Sequence, residues 1–230
     1  MQSIGIVTIK GGSGKTTTAA HLAVAASAAG VRPVMVVDTD KGLEHPQQSL
    51  TEWYRERVET LGDANRVELR DVAPRRLAAE LGKMRAVAGV VIVDTPGRVD
   101  DDVRAVIKAV DLVVIPVQPS PMDIRAARHT LAMVKAAGRP FVFVLTQADR
   151  RNGLLEEAEN TLRPHGDVAG VVTRRVGYAR SMVGGLTIQE VERAPRNTGG
   201  LEVAGVWASI ARRLFGDGAH SNGTLESLIP

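Results

Sequence analysis

A chain of 230 residues, 44% of them hydrophobic, is long enough for one α/β domain with a sizeable core and too short for two independent ones. It contains no cysteine, which excludes disulfides, thiolate metal sites and iron–sulfur clusters and fits a reducing cytoplasm. The formal net charge is +3, all of it in residues 116–230 (14 Lys/Arg against 11 Asp/Glu), and seven arginines but only three acids lie between Arg174 and Arg213. That clustering suggests a polyanion partner. No apolar run approaches the ~20 residues of a membrane span, and the N-terminus passes straight into a strand-like stretch without a leader signature. A soluble intracellular protein is expected.

Residues 4–9 read as a short buried strand of mostly β-branched residues. Lys10-Gly11-Gly12-Ser13-Gly14-Lys15-Thr16-Thr17 follows, and residues 17–29 form an Ala-rich helix. Glycines at three of four positions let the backbone curl so that successive N–H groups point inward at phosphate oxygens. The new helix brings its positive end to the same spot. Lys15 is placed to reach the β- and γ-phosphates and Thr16 to hold Mg²⁺. The pattern predicts a nucleoside triphosphate site built from Gly11, Gly12, Ser13, Gly14, Lys15, Thr16 and Thr17. Lys10, ahead of the glycines, is not needed to wrap phosphates in its own subunit.

Residues 33–37 (PVMVV) form a second strand ending in Asp38-Thr39-Asp40, two carboxylates on the side where the phosphates sit. A helix over 47–59, a strand over 66–70 and a helix over 74–88 come next, the last with Leu77, Leu81, Met84 and Val87 in helical register. Residues 90–93 (VVIV) run into Asp94-Thr95-Pro96-Gly97. This matches a Walker B segment, with Asp94 set to polarise the Mg²⁺ water shell and 94–97 as a switch loop.

A strand over 111–117 is broken by a Pro-rich turn in which Ser120 caps, Pro121 opens the helix and Asp123 completes a capping box, the helix running to Ala137. A strand over 141–145 ends in Thr146-Gln147-Ala148-Asp149, which is no guanine-reading N-K-x-D element. A helix over 152–163, a strand over 168–173 and a closing helix over 196–215 complete the pattern. Residues 216–230, rich in Gly, Ser and Asn, are expected to be a disordered tail. Strands alternating with helices predict one α/β domain over 1–215: a P-loop NTPase with a mostly parallel twisted sheet and helices on both faces.

KGGSGKTT resembles the deviant Walker A box of the ParA/MinD family of ATPases, and the likeness extends over roughly residues 3–215. The Pro-rich turn at 118–121 and the pattern R-x-x-x-Y-x-x-S-x-x-x-G from Arg174 to Gly185, followed by Glu190, are similar to the small ParF-like partition members. The resemblance implies that Lys10 reaches across a dimer interface to the partner's nucleotide while Lys15 binds its own. It implies that Asp38 supports the Mg²⁺ water shell, that Asp40 positions the attacking water, and that the nucleotide is ATP. Two departures stand out. Five residues, 41–45, separate the aspartates from Pro46-Gln47, where the family runs directly on, and Thr146 replaces an asparagine that reads adenine in many relatives.

The implied function is DNA segregation without an N-terminal helix-turn-helix. An ATP-bound homodimer would bind DNA nonspecifically, with Arg174, Arg175, Arg180, Arg193, Arg196, Arg212 and Arg213 as candidates. A ParB-like centromere-binding protein would stimulate slow hydrolysis, and the protein would be cytoplasmic and nucleoid-associated. No membrane partner is expected, because the tail lacks a basic amphipathic face. The rival reading is a related ATPase that positions a conjugation, secretion or chemosensory complex without binding DNA.

Overall fold

In the computed structural model, residues 1–39, 48–97, 101–191 and 198–216 are described. The strand β4 (Val90–Asp94) is buried at every position, as are β2 (Val34–Asp38) and β5 (Leu112–Val117). A strand that is apolar on both faces must be covered on both, and parallel sheets with crossover helices do this. With β1 (Gln2–Ile6), β3 (Val67–Asp71), β6 (Phe141–Ala148) and β7 (Val168–Thr173), these strands form one sheet in the order β3-β2-β4-β1-β5-β6-β7, every pairing parallel.

Alternate residues of each strand feed two cores. On one face Ile4, Val36, Ile92, Val114 and Val144 pack with α1 (Lys15–Ala28), α2 (Ser49–Leu61), α7 (Val176–Val183), α8 (Ile188–Val191) and α9 (Thr198–Phe215). On the other, Val37, Val93, Ile115 and Leu145 pack with α3 (Leu77–Met84), α4 (Asp101–Ala109), α5 (Pro121–Ala136) and α6 (Leu154–Leu162). The buried side of α1 is rich in alanine, including Ala19, Ala20, Ala23 and Ala26, which lets the helix sit close over the sheet centre.

The expected architecture is present, with local corrections. The first strand ends at Ile6 rather than Ile9. Val7 still donates to the Val114 carbonyl, but the chain then leaves the sheet to begin the Gly-rich loop. The helix expected over 74–88 divides into a 3-10 turn, Pro74–Arg76, and the shorter α3. The strand expected to stop at Leu145 extends to Ala148, with a register shift against β7 beyond Leu145. Helices α4, α7 and α8 were not foreseen. The closing helix is described from Thr198, and the tail beyond Gly216 lies outside the described residues.

Candidate nucleotide-binding site

β1, β2 and β4 all deliver their carboxyl ends to one edge of the sheet, the edge where open α/β folds bind ligands. From β1 the chain enters residues 10–15, where Gly12 and Gly14 adopt φ of 75° and 87°. Side chains would be strained there, and the curl depends on glycine. The carbonyls of this loop are held from within and from outside. Ser13 Oγ donates to Lys10 O at 3.2 Å, Thr146 Oγ1 to Ser13 O at 3.0 Å, and the amides of Gln118 and Gln147 to Gly12 O at 2.9 and 3.1 Å. With α1 starting at Lys15, the N–H groups of its first turn have no intrahelical acceptor and form the positive end of the helix.

Lys15, Thr16 and Asp94, three of the residues singled out for phosphate and metal, stand together. Lys15 Nζ donates to Lys10 O at 3.2 Å, Thr16 Oγ1 donates to Asp94 Oδ2 at 2.6 Å, and Asp94 Oδ1 is buried with no hydrogen-bond partner. Burial, reinforced by the nearby Asp38 charge, raises the Asp94 carboxyl from its ordinary 3.8 to about 7, against the opposing bond from Thr16 and the charge of Lys15. Such a carboxylate favours a cation beside it. Asp38 Oδ2 accepts from Thr51 N at 3.1 Å and from Thr51 Oγ1 at 2.8 Å, so it also fixes the first turn of α2. Thr39 Oγ1 donates to the Asp94 carbonyl at 2.6 Å and Thr95 Oγ1 to the Ile6 carbonyl at 2.7 Å, tying the ends of β2, β4 and β1 together. Gly97 closes the site: a Cβ there would stand 2.9 Å from Lys15 Nζ and 3.4 Å from Gly11 Cα.

Lys10 points away from its own loop. Its Nζ lies 2.6 Å from Asp123 Oδ2, a carboxylate 5% exposed in the first turn of α5. The expected cap is present there, with Ser120 Oγ accepting from Asp123 N at 3.1 Å and donating to Asp123 Oδ2 at 2.5 Å. Asp40 and the insertion at 41–45 lie outside the described residues.

A cavity of about 260 Å³ adjoins the loop, walled by Thr17 and His21 of α1, Thr146 and Gln147 at the end of β6, and Arg174 and Tyr178 after β7. Sequence reasoning placed no base contact, and Thr146 proves to brace the loop through Ser13 instead. His21 was missed altogether. Its Nε2 accepts from Ile188 N at 3.1 Å, so the ring carries its proton on Nδ1, which lies 2.8 Å from the Thr17 carbonyl. Burial lowers its pKa from 6.5 to about 4.

The pattern around Tyr178 explains itself as packing. Tyr178 OH donates to Gly199 O, Ser181 Oγ to Tyr178 O, and the buried Arg57 donates to Gly185 O and pairs with both oxygens of Glu190. Among the candidate arginines, Arg174 and Arg180 are exposed, Arg175 donates to Glu202 at 3.3 Å, Arg213 pairs with Asp167, and Arg212 is exposed near the end of α9. Arg193 and Arg196 lie outside the described residues.

A parallel sheet with a Gly-rich loop between its first strand and helix, facing an aspartate at the end of β4, defines a P-loop NTPase. Residues 4–188 match the family model described as the CobQ/CobB/MinD/ParA nucleotide binding domain, and the chain belongs to that family. It is 33% identical over 192 residues, 80% of this chain and 82% of the relative, to the Maintenance of carboxysome distribution protein A of Gloeobacter kilaueensis. It is 31% identical over 136 residues to Protein ParA of Rhizobium radiobacter, spanning 58% of this chain and 56% of that one. The fold matches the cell division ATPase MinD of Pyrococcus furiosus with a TM-score of 0.75, at 19% identity, over 92% of this chain and 99% of that chain. Among the described residues, no helix is long and apolar enough to cross a membrane.

Proposed function

We propose that this chain is an ATP-driven switch for DNA segregation: ATP closes two subunits face to face, the dimer binds DNA nonspecifically, and a ParB-like centromere-binding protein stimulates hydrolysis. The observation that carries the reading is Lys10. Its carbonyl braces the loop by accepting from Ser13 and Lys15, while its side chain stands at the rim of the phosphate cradle with the ammonium held by Asp123. A lysine so placed can be lent to a second subunit.

Within one subunit, Lys15 and the N–H groups of residues 11–17 bind the β- and γ-phosphates, and Thr17 and His21 border the cavity suited to the nucleoside. The orphaned Asp94 Oδ1 beside the Thr16 hydroxyl fits a divalent cation, which Thr16 and Asp94 would hold with support from Asp38. Mg²⁺ bound there would supply positive charge to the β,γ-bridging region as the terminal phosphoryl departs. Gly97 lies against Lys15, and in this reading its backbone would register the γ-phosphate as part of a switch loop. Asp40 is assigned to the attacking water on the family pattern. Lys10 from the second subunit would complete the charge around the γ-phosphate, and hydrolysis would release both dimer and DNA.

The relative named for carboxysome distribution supports a second reading, in which the same switch positions a protein assembly. The discriminating experiment measures binding to random-sequence duplex DNA with ATP, with ADP and without nucleotide at 50–200 mM salt, a range over which phosphate-driven binding falls steeply. ATP-dependent, salt-sensitive binding supports segregation. Absence of binding in every nucleotide state removes the DNA reading and leaves protein positioning.

A further inference from the structure

The arginines expected to meet DNA are not the only exposed cations, and several are engaged. Arg175 and Arg213 are held by Glu202 and Asp167. Other surface cations sit beside an acid, some near in sequence (Arg70 beside Glu68, Lys83 beside Glu80, Arg151 beside Asp149, Arg163 beside Glu159) and some far from it (Arg75 beside Asp102, Arg85 beside Asp111, Arg150 beside Glu202). Helix α5 departs from this. It is 16 residues long, and its buried side carries Asp123, Ala127, Thr130, Leu131 and Val134. Its exposed side carries Arg125, Arg128, His129 and Lys135, with the small Ala132 and Ala136 between them.

These positions fall on one face at helical spacing. None of Arg125, Arg128 and Lys135 takes part in any of the ion pairs between described residues. The helix has a single acid, Asp123, which is buried and already paired with Lys10. Arg125 and Arg128 also stand three residues apart, where like charges repel. The acids at the starts of the helices packed on either side, Asp101 and Asp102 on α4 and Glu156 and Glu157 on α6, lie at the site edge of the sheet. Arg128 and Lys135 run away from that edge.

We infer that this face of α5 binds the phosphate backbone of duplex DNA, sharing that task with the exposed Arg174 and Arg180; the inference rests on the DNA-segregation reading. Charge and shape both favour this occupant. From Arg125 to Lys135 the stripe spans about 15 Å, and along a duplex phosphate charges recur every ~1.7 Å of axis. The alanines between the cations allow the helix backbone to approach a strand closely. A lipid surface is disfavoured because Met122, at the N-terminal end, is the one large apolar side chain exposed along α5. The helix is also tied to the nucleotide loop, through Gln118 to Gly12 O just before it and Asp123 to Lys10 in its first turn.

The test uses the full chain with ATP and Mg²⁺ and a labelled random-sequence duplex of about 25 base pairs, read by anisotropy across 50–200 mM KCl. The variant R125Q/R128Q/K135Q is expected to bind at least tenfold more weakly, with the slope of log K against log salt reduced by about 2 to 3. Its nucleotide affinity and melting temperature should be unchanged, and R125K/R128K should bind as the unaltered protein does. An unchanged slope in the triple variant, with loss confined to R174Q/R180Q, overturns the inference while leaving DNA binding intact. Tighter binding of the unaltered protein to phosphatidylglycerol vesicles than to DNA, lost in the triple variant, also overturns it. If the unaltered protein binds no DNA in any nucleotide state, the segregation reading fails first.

Discussion

Lys10 and Asp123 form an ion pair of 2.6 Å across 113 residues of sequence, joining the rim of the phosphate loop to the first turn of α5. Asp123 is almost wholly buried while Lys10 is 39% exposed, so the pair is a held arm rather than a core bridge. For Lys10 to reach a second subunit's phosphates, this bond must break. Asp123→Asn keeps the side chain's size and removes its charge. It is expected to lower the ATP concentration giving half-maximal dimer severalfold, measured by sedimentation velocity. A higher concentration would show that Asp123 aids closure instead of restraining it.

Asp94 and His21, both buried, shift in opposite senses. Asp94 is raised from 3.8 to about 7. The native state therefore holds a proton that the unfolded chain has lost, and stability falls as pH rises through that window. His21 is lowered from 6.5 to about 4. There the unfolded chain holds the extra proton, and stability rises from pH 4 to 6.5. Each slope is at most about 1.4 kcal/mol per pH unit, so in the Mg²⁺-free protein they largely cancel. His21→Gln should expose the Asp94 slope, with stability declining from pH 4 to 7, and Asp94→Asn should expose the opposite one. Urea titrations at four pH values read both. Parallel curves for all three proteins would refute the opposition.

Gly97→Ala tests the closing loop. The added carbon would crowd only the far end of the Lys15 side chain, at 2.9 Å, and meet the Gly11 backbone at an ordinary contact distance of 3.4 Å, so folding should be little affected. Lys15 Nζ would have to move, and nucleotide affinity should fall by tenfold or more in a fluorescent-ATP titration. Unchanged affinity would place Gly97 outside the phosphate site.

Much of this was legible in the chain. Glycine spacing, the lysine and threonine behind it, and apolar runs ending in Asp38 and Asp94 mark strand ends and a phosphate loop, because both depend on local backbone and burial rules. The cap at Ser120 was legible for the same reason, although the reciprocal half of the expected box is not formed: Ser120 N donates to Gln118 O, and the Asp123 carboxylate accepts from Ser120 Oγ and Lys10 instead. That Asp123 would also receive Lys10 was not, since the contact depends on how β5 delivers α5 beside the loop. Nor was His21, whose partners Thr17 and Ile188 come from its own turn and from a four-residue helix 167 positions away. The short helices α7 and α8 escaped for a related reason. They are stabilised by tertiary joints such as Arg57 to Glu190 more than by their own periodicity.

The central claim is that Lys10 acts on the other subunit, and the mass of the protein in solution tests it directly. With ATP and Mg²⁺ the unaltered chain should form a dimer that reverts to monomer with ADP. Lys10→Ala should bind ATP within twofold of normal and stay monomeric, while Lys15→Ala should fail to bind. A Lys10→Ala protein that dimerises with ATP and hydrolyses it at the normal rate would contradict the account.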